Sequence, residues 1–264
     1  MNELQILGLQ LDLRWEDPES NRKHIESMLA AHQKPADIIA LPEMFTTGFS
    51  MEAQRNAEEM MGPSMFWMRK LAQQEEALII GSLIILEGGK FYNRFIAMDS
   101  YGIVAQYDKR HTFRMAGEHE VFESGQERVI FEYKGWRICP QVCYDLRFPV
   151  FSRTRSDEQG PDYDLLVYVA NWPKPRISHW DALLQARAIE NQTHVIGINR
   201  VGIDGVNMEY SGGSAIIDHM GKVLTSQYDT EGVLEAIIDK APQDRFRGKF
   251  PVWKDADEFQ VSGF

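Results

Sequence analysis

Short apolar runs alternate along this chain with amphipathic stretches, and that alternation most constrains its fold. LQILGLQLDL from Leu4, ADIIALPE (36–43) and ALIIGSLIIL (77–86) read as strands, the last of them too short at ten residues to span a bilayer. SNRKHIESMLAAHQK, with Ser20 as its cap, and a segment from about 64 to 76 behind Pro63 have helical spacing. Gly88-Gly89 joins ALIIGSLIIL to FYNRFIAMDS as a hairpin, and IVAQYDKRH is a strand delivering Lys109 at its end.

The second half repeats the style. RVIFEY and WRICPQVC flank a Lys134-Gly135 turn, FPVFSRTRS reads as a short helix, DYDLLVYVANW as a strand and 177–191 as a helix. THVIGINRVG, SGGSAIIDHMG, KVLTSQY and VLEAIID follow as strands. MDSYGIVAQYD and IDHMGKVLTSQYD echo one another, which is better read as shared Asp-x-x-Gly turn chemistry than as a true repeat. Mixed strands with helices between them predict a layered α/β fold. The hairpins exclude a purely parallel pattern, and no glycine-rich phosphate loop follows a strand. The 264 residues suit one domain, 1–264, whose tail, 249–264, carries Phe250, Trp253 and Phe259 and is expected to dock on a surface.

A net charge of -11 disfavours nucleic acid and anionic membranes as partners, since both need a basic footprint. Glu3 and Asp12 interrupt the start where a signal peptide would be basic and then apolar, so a cytoplasmic location is expected. The two cysteines, Cys139 and Cys143, would lie roughly 13 Å apart on a strand, too far for a disulfide, and with no matching ligand set a metal pair is not expected.

Three reactive groups sit where strands end: Glu43 after IIALP, Lys109 after VAQYD and Cys143 after ICPQV. Taken singly, each has a plainer reading, as a paired carboxylate, a solvated charge and a small buried hydrophobe. Together they mark strand ends, where α/β folds place chemistry. Glu43 is expected to be half-buried, which raises a carboxylate's pKa and suits a general base. A sharp turn at Cys143 would lift the thiol beside the Tyr144 N–H, a candidate oxyanion donor. Pro140 inside that strand predicts a bulge or an unpaired side. Pairing of Cys143 with His111 or His179 is the rival arrangement.

LPEMFTTGF, YDKRHTF and ICPQVCYDLRFP, in that order, resemble the glutamate, lysine and cysteine motifs of the nitrilase (carbon-nitrogen hydrolase) superfamily. The likeness continues through YVANWP, LLQARAIENQ and INRVG, so it spans Leu4 to about Asp239. The resemblance implies an α-β-β-α sandwich, a homodimer and no cofactor. It places Glu43 as general base, Lys109 as the family's lysine and Cys143 as nucleophile. A second carboxylate falls best on Glu118 in GEHEVFESG, with Glu120 as fallback; Cys139 is then inert core. EMFTTGF, KRHTFRMA, CYDLRFP and FPVWKDADEF look most like the bacterial ω-amidase branch. That implies a short keto-dicarboxylic acid ω-amide as substrate, such as 2-oxoglutaramate or 2-oxosuccinamate, cleaved through a thioester that Lys109 promotes by favouring the thiolate. Arg114, Arg147 and Arg176 are candidates for the substrate carboxylate, Asn171 and Trp172 for the pocket wall. An N-carbamoyl amide hydrolase or a nitrilase would use the same trio, and a binding or scaffold protein on this fold would not need it.

Overall fold

The computed structural model describes residues 2–157, 160–257 and 259. The first half forms β1 (Glu3–Gln10), α1 (Pro18–His32), β2 (Ile38–Ala40), α2 (Ala53–Asn56), α3 (Pro63–Glu75), β3 (Leu78–Glu87), β4 (Lys90–Met98), β5 (Ile103–Asp108) and α4 (Glu118–Val121). Then come β6 (Phe131–Tyr133), β7 (Trp136–Val142), α5 (Pro149–Ser152), the short ladder β8 (Ser156–Asp157) with β9 (Gly160–Pro161), β10 (Leu165–Val169) and α6 (Ile177–Asn191). β11 (His194–Ile198), β12 (Val201–Ile203), β13 (Glu209–Ile217), β14 (Val223–Tyr228), β15 (Gly232–Asp239) and α7 (Lys240–Lys249) complete the order.

Two mixed sheets result, in the orders β15-β1-β2-β3-β4-β5 and β12-β13-β11-β10-β7-β6, with β14 on β13. Strand alternation explains how they stack. Ile38 and Ala40 join Ile6, Ile80 and Phe95 in a core shared with Ile138, Val167 and Ile196 of the second sheet, whereas Ile39 and Ile79 turn to Ile25 and Leu29 of α1 and Met68 and Leu71 of α3. Trp180, Leu184 and Ala188 of α6 cover the far face of the second sheet, which gives the four layers α-β-β-α. Gly8 lets the sheets close on one another: a Cβ there would meet Ile198 Cδ1 at 2.4 Å. Among the described residues no helix is long and apolar enough to cross a membrane.

The cap of α1 is corrected, and of the two outcomes expected at Pro140 the unpaired side is the one found. Asp17, not Ser20, caps α1: its carboxylate accepts the Ser20 N–H, and Pro18 opens the helix. Pro140 causes no bulge in the β7–β10 ladder. β6 stops opposite Ile138, and the Pro140 carbonyl accepts from Gln141 Nε2 (2.9 Å), so the proline faces the gap beyond β6. Gly88 and Gly89 both have positive φ, as a two-residue hairpin turn requires. Asp99 and Asp218 each cap their hairpin turn through its N–H groups, which accounts for the echo between the two segments.

The helix α7 was not anticipated, because KAPQDRFRGK lacks an apolar stripe. Polar bonds seat it instead. Asp164, fully buried, receives Arg137, Lys240 and Arg247 at 2.7, 2.8 and 3.1 Å. Beyond α7, the Phe250 carbonyl accepts from Gln192 Nε2 and the Trp253 carbonyl from Ser156 Oγ. Phe250 and Phe259 are themselves exposed, and residues 258 and 260–264 of the tail lie outside the described residues.

Burial alone would raise the Asp164 pKa, but hydrogen bonds from Arg137 and Lys240 hold it down at about 2. A carboxylate depressed in this way stabilises the fold above its unfolded pKa and loses that stabilisation as pH falls through the folded one. Wild-type stability should therefore drop by about 2 kcal/mol from this group between about pH 4 and pH 2. Asp164→Asn, leaving three cations without their shared anion, is expected to cost about 3–5 kcal/mol at neutral pH and to flatten that acid limb. Urea titrations across this range measure both.

Candidate active site

The site is assembled from strand ends of both sheets. Past β2, Leu41 and Pro42 lead to Glu43, which is fully buried rather than half-buried, and the chain turns at Met44 with φ 44°. Ser82 of β3 accepts the Met44 N–H at 2.9 Å and donates to Asn93 Oδ1 of β4 at 2.8 Å. That fixes the Asn93 amide, so its Nδ2 donates to Glu43 Oε1 (2.7 Å) and Glu118 Oε1 (3.2 Å). Lys109, just past β5, places Nζ 2.8 Å from Glu43 Oε1 and 2.9 Å from Glu118 Oε2. From the second sheet, the Asn171 N–H donates to Glu43 Oε2 at 2.8 Å, and Asn171 Nδ2 to the Glu43 carbonyl at 2.6 Å.

Cys143 follows β7 and opens the 3-10 turn Cys143–Arg147 with φ 46°, a left-handed conformation that a non-glycine residue adopts at a cost of about 1–3 kcal/mol. The Tyr144 N–H lies at the start of this turn, where helical N–H groups lack partners within the helix. The thiol points to the Asn171 carbonyl, Sγ to O 3.9 Å.

Lys109 favours the thiolate, as expected, but is outweighed. Burial, reinforced by the Glu43 charge, pushes the Cys143 thiol well above its ordinary pKa, and Lys109 only partly opposes this. At neutral pH the resting group is thus a thiol, and attack needs a base. Burial also opposes the charge on Lys109, but Glu118 and Glu43 outweigh it and hold the ammonium above its usual range. Burial raises the Glu118 carboxyl, against Lys109 and the Phe113 N–H. The inert reading of Cys139 fits its fully buried thiol, raised to about 11 by burial.

Glu118, at the start of α4, is fully buried in this network, whereas Glu120 is exposed, so the fallback carboxylate is not part of it. Neither histidine is bonded to the thiol. His111 Nδ1 lies 2.7 Å from Asp145 Oδ1, and His179 Nδ1 lies 3.0 Å from Arg147 Nη2. Among the described residues no three His, Cys, Asp or Glu side chains are grouped to hold a metal ion.

Above Cys143 and Lys109 opens a cavity of about 320 Å³ walled by Trp15, Phe49, Phe113 and Trp172. Tyr144, Asn171, Arg147 and Arg176 also line it. The Arg147 guanidinium stacks 4.8 Å over Trp172 and that of Arg176 5.4 Å over Phe113; among the described residues neither is ion-paired. Arg114 is the exception among the proposed arginines. It is exposed in the one-turn segment Arg114–Ala116 and does not line the cavity, because that turn gives Ala116 to the wall instead.

Sequence reasoning missed Ser82, Asn93, Trp15, Asp204 and Tyr210. Ser82 carried a usable signal, a lone polar residue within an apolar run, where a buried hydroxyl must find partners, whereas Asn93 stands beside Arg94 in a strand of mixed character. Asp204 lines the cavity with its carboxylate already engaged by the Val206 and Met208 N–H groups and the Tyr210 hydroxyl.

The comparisons bear on the family. The family model for carbon-nitrogen hydrolases matches residues 6–245. The chain is 46% identical to omega-amidase YafV of Escherichia coli K12 over 98% of both chains. It is 34% identical to the 2-oxoglutaramate amidase of Bacillus subtilis, over 95% of this chain and 96% of that one. XC1258 of Xanthomonas campestris, a CN-hydrolase superfamily protein crystallised with an arsenic adduct in its active site, superposes with a TM-score of 0.96 at 42% identity, covering 99% of this chain and 100% of that one.

Proposed function

Because the chain belongs to the carbon-nitrogen hydrolase family and is an amidase, we propose that it removes the ω-amide nitrogen of a short keto-dicarboxylic acid monoamide, 2-oxoglutaramate or 2-oxosuccinamate, as ammonia. The observation that carries the substrate reading is the cavity itself. Arg147 and Arg176, neither ion-paired among the described residues, line it and can meet one carboxylate, while Asp204 is occupied by three donors and Glu52 is exposed. A monoanion with an uncharged keto group suits two guanidinium groups better than glutamine or asparagine, whose ammonium adds a like charge beside them.

The reaction follows from the groups at the cavity floor. Glu43 takes the thiol proton as Cys143 Sγ attacks the amide carbon. The Lys109 ammonium and the Tyr144 N–H hold the oxyanion. Collapse breaks the C–N bond, the leaving nitrogen takes the proton from Glu43, and ammonia departs from a thioester. Glu43 then takes a proton from water, the resulting hydroxide attacks the thioester, and Glu43 returns the proton to sulfur. Glu118 and Asn93 keep Lys109 and Glu43 in place throughout. A homodimer is part of this reading, and Val150 and Ile189, each exposed on α5 and α6, are apolar side chains that a second copy of the chain would have to cover or leave in water.

Ammonia release from 2-oxoglutaramate, 2-oxosuccinamate, glutamine, asparagine, a simple nitrile and a carbamoyl amino acid tests the substrate. The keto-amides are expected to exceed the amino acid amides by at least about tenfold in kcat/KM, since the ammonium of the latter lies beside two guanidinium groups. Turnover of another panel member with none of either keto-amide would refute the ω-amide reading and leave the family untouched.

A further inference from the structure

The carboxylate of Asp145 lies two residues beyond the thiol and has no place in the chemistry above. It is fully buried, and a buried carboxylate is costly unless its lone pairs are satisfied. Here four donors satisfy it. Oδ1 accepts the His111 N–H at 2.9 Å and lies 2.7 Å from His111 Nδ1. Oδ2 accepts the Tyr107 hydroxyl at 2.7 Å and the Val142 N–H at 2.9 Å. The Tyr107 oxygen in turn accepts the Arg110 N–H at 3.0 Å.

These partners fall in two places. Tyr107, Arg110 and His111 bracket Lys109 in the chain, while Val142 immediately precedes Cys143. His111 also lies flat on Phe148, just past the 3-10 turn that Cys143 opens, with ring centroids 3.8 Å apart and planes within 8°. Glu43 and Glu118 fix the lysine ammonium against groups of the first sheet and α4. Asp145 fixes the lysine's backbone against the nucleophile's.

We propose that Asp145 is a positioning residue, which sets the reach of the Lys109 ammonium to the Cys143 sulfur and to the oxyanion formed beside it. This rests on the reading in which Cys143 attacks and Lys109 stabilises the developing charge. Substrate binding, governed by the cavity walls and arginines, is separate from that reach, so the effect falls on kcat. The thiol is faced by Glu43, Lys109 and Glu118, and of these only Lys109 favours the thiolate. A lysine that drifts away therefore leaves the thiol harder to ionise.

The test uses Asp145→Asn and Tyr107→Phe in the full chain. Asparagine must turn an NH2 towards two existing donors, and Phe removes only the hydroxyl between Asp145 and the Arg110 N–H. For Asp145→Asn we expect kcat to fall about 100-fold with KM within about threefold, as for an interaction felt in the transition state. The pH profile of Cys143 alkylation by iodoacetamide should move up by about one unit. Tyr107→Phe should lose about tenfold in kcat with the same KM pattern, and it carries the test if the Asn variant does not fold. A folded variant with kcat and alkylation profile at wild-type values overturns the proposal whatever its thermal stability, since a purely structural brace would lower Tm and move neither. Retained turnover in Cys143→Ala would instead overturn the underlying reading, and this proposal with it.

Discussion

A Cys143→Ala protein is expected to release no measurable ammonia from any amide, a loss of at least about 10⁴-fold, while folding normally. The side chain is small, its sulfur makes one long contact with the Asn171 carbonyl, and the turn that strains its backbone is held by Asp145 and by the chain on either side. Removing it takes away the proposed nucleophile and little packing. Intact mass spectrometry during turnover supplies the second half of the test. An acyl adduct should accumulate on the wild-type chain and be absent from the variant. An adduct that persists without Cys143, or turnover within tenfold of wild type, would remove the thioester route.

The Glu43→Gln protein should bind substrate with a nearly unchanged KM and lose about 10²–10⁴-fold in kcat. The raised pKa of Cys143 is the reason: a thiol that rests protonated cannot attack until a neighbour takes its proton. The amide cannot accept that proton, and it cannot satisfy its neighbours either. Asn93 and Lys109 donate to one oxygen and the Asn171 N–H to the other, so either orientation of Gln sets NH2 against a donor. Steady-state kinetics with 2-oxoglutaramate measure the effect, and near-normal kcat would eliminate the carboxylate mechanism.

Glu43, Lys109 and Cys143 were legible because each reactive side chain stands at the end of an apolar run inside a recognisable motif. The layering was legible for a related reason: strands such as 77–86 are apolar on both faces, which demands cover on both sides. Asn93 and Ser82 were not, because a polar residue within a strand announces only that it needs partners, and its partners lie in other strands. The helix α7 escaped because arginine and glutamine hydrogen bonds seat it, a pattern with no period to detect. Arg114 was misjudged from proximity in sequence, since a single turn of helix sends neighbours to opposite sides. The cap of α1 slipped three residues because Asp17 and Ser20 are both good capping types, and only the proline between them marks the start.

The reacting groups hang from opposite sheets, Glu43 and Lys109 from one, Cys143 and Asn171 from the other. The apolar filling between the sheets is therefore the spacer that sets how far the proposed base stands from the proposed nucleophile. Where Gly8 meets Ile198, one added methyl group would force the end of the Ile198 side chain to move within that spacer. Packing in the interior then has a second task besides folding, to hold the groups at its rim within about 0.5 Å of a productive geometry. The wall between the sheets and the chemistry at its rim answer to the same selection.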